Sequence, residues 1–174
     1  MAWPMAPGLL ALKFAKWRNT EQTVIKICAS GGVLSKGDQP GTPQFTFEEM
    51  QAIAEEAHKL GRKVAAHAHG TQSIKDAIRA GIDSTEHSSL IDDEGIALAK
   101  QHGTYLVFDI YNDDYILQEG AKAGMLPEAI EKEKKIGRLQ RENFRHAYQS
   151  GAKLALAPIP VSIRTVTMRS SLAK

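Results

Sequence analysis

The sequence predicts an α/β fold made of parallel β/α units, and three observations predict it. Short β-branched or apolar runs such as VIKIC (24–28) and YLVF (105–108) alternate with longer amphipathic stretches. A unit of helix, glycine and short strand recurs in HKLGRKVAAH, IRAGIDSTEH, KQHGTYLVFD and YQSGAKLALA. Chemistry-bearing side chains, finally, gather where the strands end.

Each element has a local cause. Val24 to Ala29 is apolar and bounded by Ser30, Gly31 and Gly32, so it reads as a buried strand. Thr46 followed by Glu49 is a capping box that opens a helix running to Leu60. Strands at Lys63–His67, Ile82–Glu86, Tyr105–Asp109 and Lys153–Leu156 alternate with helices at Thr71–Ala80, Asp92–Gln101 and from Pro127 to Ser150. Five strands and four helices suit either a small doubly wound sheet or about half of a (β/α)8 barrel, a fold of roughly 250 residues. The length of 174 residues favours the first, and the chemistry at the strand ends favours the second.

Composition narrows the function classes. The chain is 43% hydrophobic, which excludes disorder, and its single Cys28 excludes a disulfide framework. No apolar stretch is long enough to span a bilayer, so no membrane role is expected. Basic residues form no stripe interleaved with aromatics, so no nucleic-acid partner is expected. The basic residues Lys13, Lys16 and Arg18 follow the N-terminal apolar patch instead of preceding it, which is not the order of a secretory signal and favours a cytoplasmic location.

The strand ends deliver Lys26 within the first strand, His67 and His69 after the second, Glu86 and His87 after the third, and Asp109 and Tyr111 after the fourth. Neutral imidazoles arriving from separate strands suit a metal site, and His67 and His87 occupy matching positions on neighbouring strands. A lysine inside VIKIC is mostly buried, which favours its neutral amine or, equally, a paired carboxylate. Ser30, Gly31 and Gly32 serve either as an anion cradle or as a plain turn, and Cys28 reads as a small core residue. His58, His102 and His146 lie in helical stretches and read as ordinary polar residues.

The runs VIKICASGGVLS, QFTFEEMQAIAEEAHKLGRKVAAHAHG and AIRAGIDSTEHSSLIDDE resemble the amidohydrolase superfamily, in the branch of Xaa-Pro dipeptidase-like and Xaa-Arg carboxypeptidase-like enzymes related to imidazolonepropionase. The resemblance implies a partial (β/α)8 TIM barrel, about strands 4 to 8, and a metal-activated hydroxide that hydrolyses a C–N bond in a small peptide or amide. It implies two divalent metals, usually zinc, with Lys26 as the bridging ligand after carboxylation by carbon dioxide, and with His67 and His87 as further ligands. His69 and Tyr111 become candidates for touching substrate. Two other readings stay open: a cyclic-amide hydrolase, against which Lys26 argues, and a non-catalytic α/β binding or structural domain.

The family pattern also includes an HxH pair on the first barrel strand and an aspartate on the eighth, and neither is present, so the chain alone is expected to be inactive or nearly so and to bind metal weakly if at all. The edges of a partial barrel are expected to be open to oligomer contacts. Residues 157–174 and 18–23, read one base out of phase at the codon level, are compatible with the family's own continuation. The expected organisation is therefore a non-family segment 1–23, a partial barrel 24–156 and a non-family tail 157–174, the flanks being frameshifted. The flanks also hold the positive charge: removing them turns the net charge of +2 into −3 for residues 24–156.

Overall fold

The computed structural model describes residues 23–157, so the two flanking segments expected to be frameshifted lie almost wholly outside the described residues. The elements are β1 (Val24–Cys28), α1 (Phe47–Lys59), β2 (Lys63–Ala68), α2 (Thr71–Arg79), β3 (Ser84–His87), α3 (Asp93–His102), β4 (Tyr105–Phe108), α4 (Asn112–Glu119), α5 (Pro127–Gln149) and β5 (Leu154–Leu156). The five strands form one sheet in the order β1-β2-β3-β4-β5, and every neighbouring pair is parallel.

This order decides between the two architectures the sequence allowed. A doubly wound sheet reverses its strand order and carries helices on both faces. Here the order is sequential, and because parallel crossovers share one hand the helices fall on one face. Ile25, Ile27, Val64, Ala66, Ala68, Leu106 and Phe108 point to that face, and they pack with Met50 and Ile53 of α1, Ile74 and Ile78 of α2, and Ile96 and Ala99 of α3. The opposite face carries Lys26, Cys28, His67, Glu86 and Val107, all only partly buried. One helix-covered face and one chemically loaded face is the arrangement of a partial (β/α)8 barrel.

Local signals held where they were specific. Thr46 and Glu49 form the reciprocal capping box, at 3.2 and 2.9 Å. The glycines of the repeated unit, Gly61, Gly81, Gly103 and Gly151, all adopt φ between 67° and 89°, the left-handed turn that ends a helix. Two details differ from expectation. The third strand starts at Ser84, two residues later than Ile82, although Asp83 N still donates to Val64 O and Asp83 O accepts from Tyr105 N, each at 3.0 Å. A helix, α4, also occupies residues to which the sequence assigned no element; Asp113 and Asp114 in its first turn suit the helix N-terminus.

Candidate metal centre

The register of the inner face sets the site. Cys28, His67, Glu86, Val107 and Ala155 lie side by side across the five strands. His67 is therefore opposite Glu86, and His87 is opposite Ala68, whose side chain points to the helices. Strand alternation alone would send His87 to that same wrong face. The backbone corrects this: His87 has φ 66° and Ser88 φ 48°, left-handed conformations rare for residues with a side chain. Ser88 Oγ is held by Thr85 Oγ1 at 2.9 Å and Thr85 O at 3.2 Å, which fixes the turn. The His87 ring thereby returns to the inner face, its centroid 4.6 Å from that of His67 and 4.5 Å from that of His69.

His69 follows β2 and closes the triangle, 4.7 Å from His67. One nitrogen from each of the three histidines lies within 4.8 Å of the others, a spacing at which one ion could be shared. The outer nitrogens are fixed by neighbours: His87 Nδ1 pairs with Asp109 at 2.9 Å, and His69 Nδ1 with Ser89 Oγ at 2.8 Å. Asp109 also accepts from Gln140 Nε2 at 2.7 Å and from Asn112 Nδ2. Burial opposes its ionisation, yet these donors hold its carboxyl well below the usual range.

Burial also keeps the His67 and His69 imidazoles neutral. It lowers His67 to about 3, helped by the charges of His87 and Lys26, and lowers His69 well below the ordinary histidine value. Neutral rings are the form that binds metal, so protons compete little for this site at neutral pH.

Lys26 sits on the same face, mostly buried, with its Nζ against the Glu86 carboxylate but without a well-directed hydrogen bond. Burial lowers it to about 8, against the pull of Cys28 and Asp109. Cys28 is half-buried on this face too, not in the core between sheet and helices. The glycine-rich turn after β1 is no anion cradle: Gly31 N donates to Thr42 O, and Ser30 Oγ accepts from His69 N. Gly32 instead permits close approach, since a Cβ there would lie 3.1 Å from His67 Nε2.

The histidines open into a cavity of about 270 Å³. Val33, Leu34, Ile116 and Ile136 give it an apolar side, and Asp109, Glu133 and Gln140 a polar one. Tyr111 does not reach it. That residue is 70% exposed and borders a separate depression with Arg141, Phe144 and Tyr148. Sequence reading missed Glu133 and Gln140, although both fall in helical phase with Ala129, Ile136 and Ala147 on the buried stripe of α5.

Residues 11–164 match the amidohydrolase family. The chain belongs to that family. It is 36% identical over 133 residues to the ochratoxinase of Aspergillus niger, a stretch that covers 76% of this chain and 28% of the relative. A Xaa-Pro dipeptidase with methionine bound in its active site superposes with a TM-score of 0.77 at 35% identity, over 88% of this chain and 38% of the other. A prolidase complexed with N-methylphosphonate-L-proline gives 0.82 at 30% identity, over 88% and 38%. The chain thus spans well under half the length of these amidohydrolases. Amidohydrolases are metal-dependent, and the donor set here, three imidazoles with a buried lysine beside them, fits a divalent ion.

Proposed function

We propose that this chain supplies part of the active site of a metal-dependent hydrolase that cleaves the amide bond of a dipeptide or a related small amide. The observation that carries the reading is the triangle of His67, His69 and His87 at the C-terminal ends of adjacent parallel strands, where β/α barrels place their chemistry. A divalent metal, zinc by its match to imidazole donors, would activate water and polarise the scissile carbonyl. His67 and His87 hold the ion, and His69, fixed through Ser89, faces it or the substrate. Asp109 keeps the His87 ring oriented and stabilises it when charge develops.

Lys26 is the candidate for a second, anionic donor. Its burial makes the neutral amine accessible near pH 8; that amine can attack carbon dioxide, lose a proton and become a carbamate. The change from cation to anion would release Glu86, which now pairs with the ammonium. Tyr111 is assigned to substrate only if the loop after β4 turns inward.

The test is zinc titration of the 174-residue chain against a chromophoric chelator. Saturable binding is expected, weakened at least about tenfold in His67→Ala and in His87→Ala; absence of saturable binding overturns the reading. Turnover of Xaa-Pro dipeptides by this chain alone is expected to be negligible, and zinc-dependent hydrolysis by it would refute that part.

A further inference from the structure

Glu133 is the one cavity-lining acid without a partner. Its side chain enters the cavity from α5, and the residue is only 5% exposed. Among the described residues no hydrogen bond or ion pair engages its carboxylate, whereas Asp109 accepts from His87, Asn112 and Gln140 and Asp113 pairs with Arg141 at 3.0 Å. Glu133 and Asp113 converge over Gly137, where an added Cβ would lie 2.8 Å from Glu133 Oε1 and 2.5 Å from Asp113 Oδ1. Burial, together with the charges of Asp113 and Asp109, pushes the Glu133 carboxyl up to about 7. A buried acid left without a donor is costly, and such groups persist where a ligand completes them.

Two completions are conceivable on charge grounds, a metal ion and a cationic group of the substrate. Geometry separates them: the ligand atoms close enough to share an ion are those of His67, His69 and His87, and Glu133 is outside that set. Beside Glu133 the wall is apolar, with Ile116, Ile136 and Leu34. An anionic substrate carboxylate would meet Asp109 and Glu133 here and is repelled. We infer that Glu133 is a specificity-determining residue that receives the free α-ammonium group of the substrate while its first side chain rests on Leu34, Ile116 and Ile136. The assignment rests on the hydrolase reading for the word substrate, and it makes that substrate a peptide with an unblocked amino terminus and an apolar first residue.

The experiment is calorimetric binding of L-leucinamide and N-acetyl-L-leucinamide to the full 174-residue chain at pH 7, with EDTA present so that no metal can bind the amine. The free amine is expected to bind at least about tenfold tighter than the blocked one, the value of a charge-assisted hydrogen bond. In Glu133→Gln the two are expected to bind alike, and Ile136→Ala is expected to weaken both. Equal affinities in the wild type, a difference that survives in Glu133→Gln, or no binding of either probe overturns the inference. The wild-type comparison decides even if a variant fails to fold. Failure to bind zinc would sink the hydrolase reading and leave this result untouched.

Discussion

Single side chains hold this site in shape, and their effects can be measured separately. Asp109 touches no proposed ligand position except through His87, whose Nδ1 it holds at 2.9 Å. Asp109→Ala is expected to lower zinc affinity about 10- to 100-fold without unfolding the chain, the usual cost of removing a group that orients a ligand; an unchanged chelator competition would show that the His87 ring is oriented by other means. Acid stability tests the buried charges together. His67 and His69 have lowered values in the folded chain, so the stability they contribute is full above about pH 6.5 and is lost as the pH falls. Glu133 is raised to about 7, so its contribution is full below 4.5 and is lost as the pH rises through 7. Between pH 6.5 and 4.5 His67 removes about 1.4 kcal/mol per pH unit, His69 acts in the same direction, and Glu133 contributes about as much with the opposite sign. Unfolding free energies are therefore expected to fall with falling pH more steeply in Glu133→Gln than in the wild type, by about 1.4 kcal/mol per unit; equal slopes would contradict the burial of Glu133. Lys26, His67, His69 and His87 were legible as a group because strand-end position is a sequence property. The route by which His87 reaches the site was not, because a left-handed residue in STEHSS leaves no mark that alternation rules can read.

Elements position these side chains through close contacts that tolerate little change. Gly70 precedes α2 and lies against the loop after β1: a Cβ there would be 2.5 Å from both Gly41 Cα and Gly41 O. Those atoms are backbone, so the loop must move, and with it the turn that abuts His67. Gly70→Ala is expected to cost about 1–3 kcal/mol, as overpacking does, and to weaken zinc binding, whereas Thr46→Ala, which removes only the cap of α1, is expected to cost about 1 kcal/mol with zinc binding unchanged. Urea unfolding with the chelator titration separates the two; equal zinc affinities would mean that the loop is independent of the site. α1 and α3 were legible from their capping side chains, and α2 from its apolar stripe alone. α4 was not, since NDDYILQE is short and offers no capping side chain at Tyr111. α5 was legible as a helix but not as a wall of the cavity, because its inward stripe includes Lys132, Glu133 and Gln140. Lys132 is satisfied by Ser35 O at 2.6 Å and Glu128 at 2.9 Å, which ties α5 to the loop after β1.

At the scale of the whole molecule, α4 and α5 cover the inner face of the sheet only at the C-terminal ends of the strands, and the rest of that face is not covered by the described residues. Near the N-terminal ends of the strands that face forms a second cavity of about 530 Å³, lined by Val24, Tyr105, Val107 and Ala155 together with Lys63 and Lys153. Val24 and Tyr105 are each 49% exposed there, and β1 and β5 end the sheet with open edges among the described residues. In a complete barrel this surface is interior, filled by layers of side chains from every strand. An apolar face flanked by two strand edges invites association, which exposed charge on the same face opposes. The 174-residue chain is thus expected to bind a hydrophobic dye such as ANS and to sediment as species larger than a monomer at micromolar concentration. Val24→Lys with Tyr105→Lys is expected to reduce both signals while changing stability by less than about 1 kcal/mol, since each side chain is already half in water. A monomeric wild type that binds no dye would show that this face does not drive association. The same experiment bears on the site: His67, Glu86 and Lys26 share this inner face, so the exposure of its lower half also sets how dry the candidate metal centre is and how far Lys26 stays below its ordinary value.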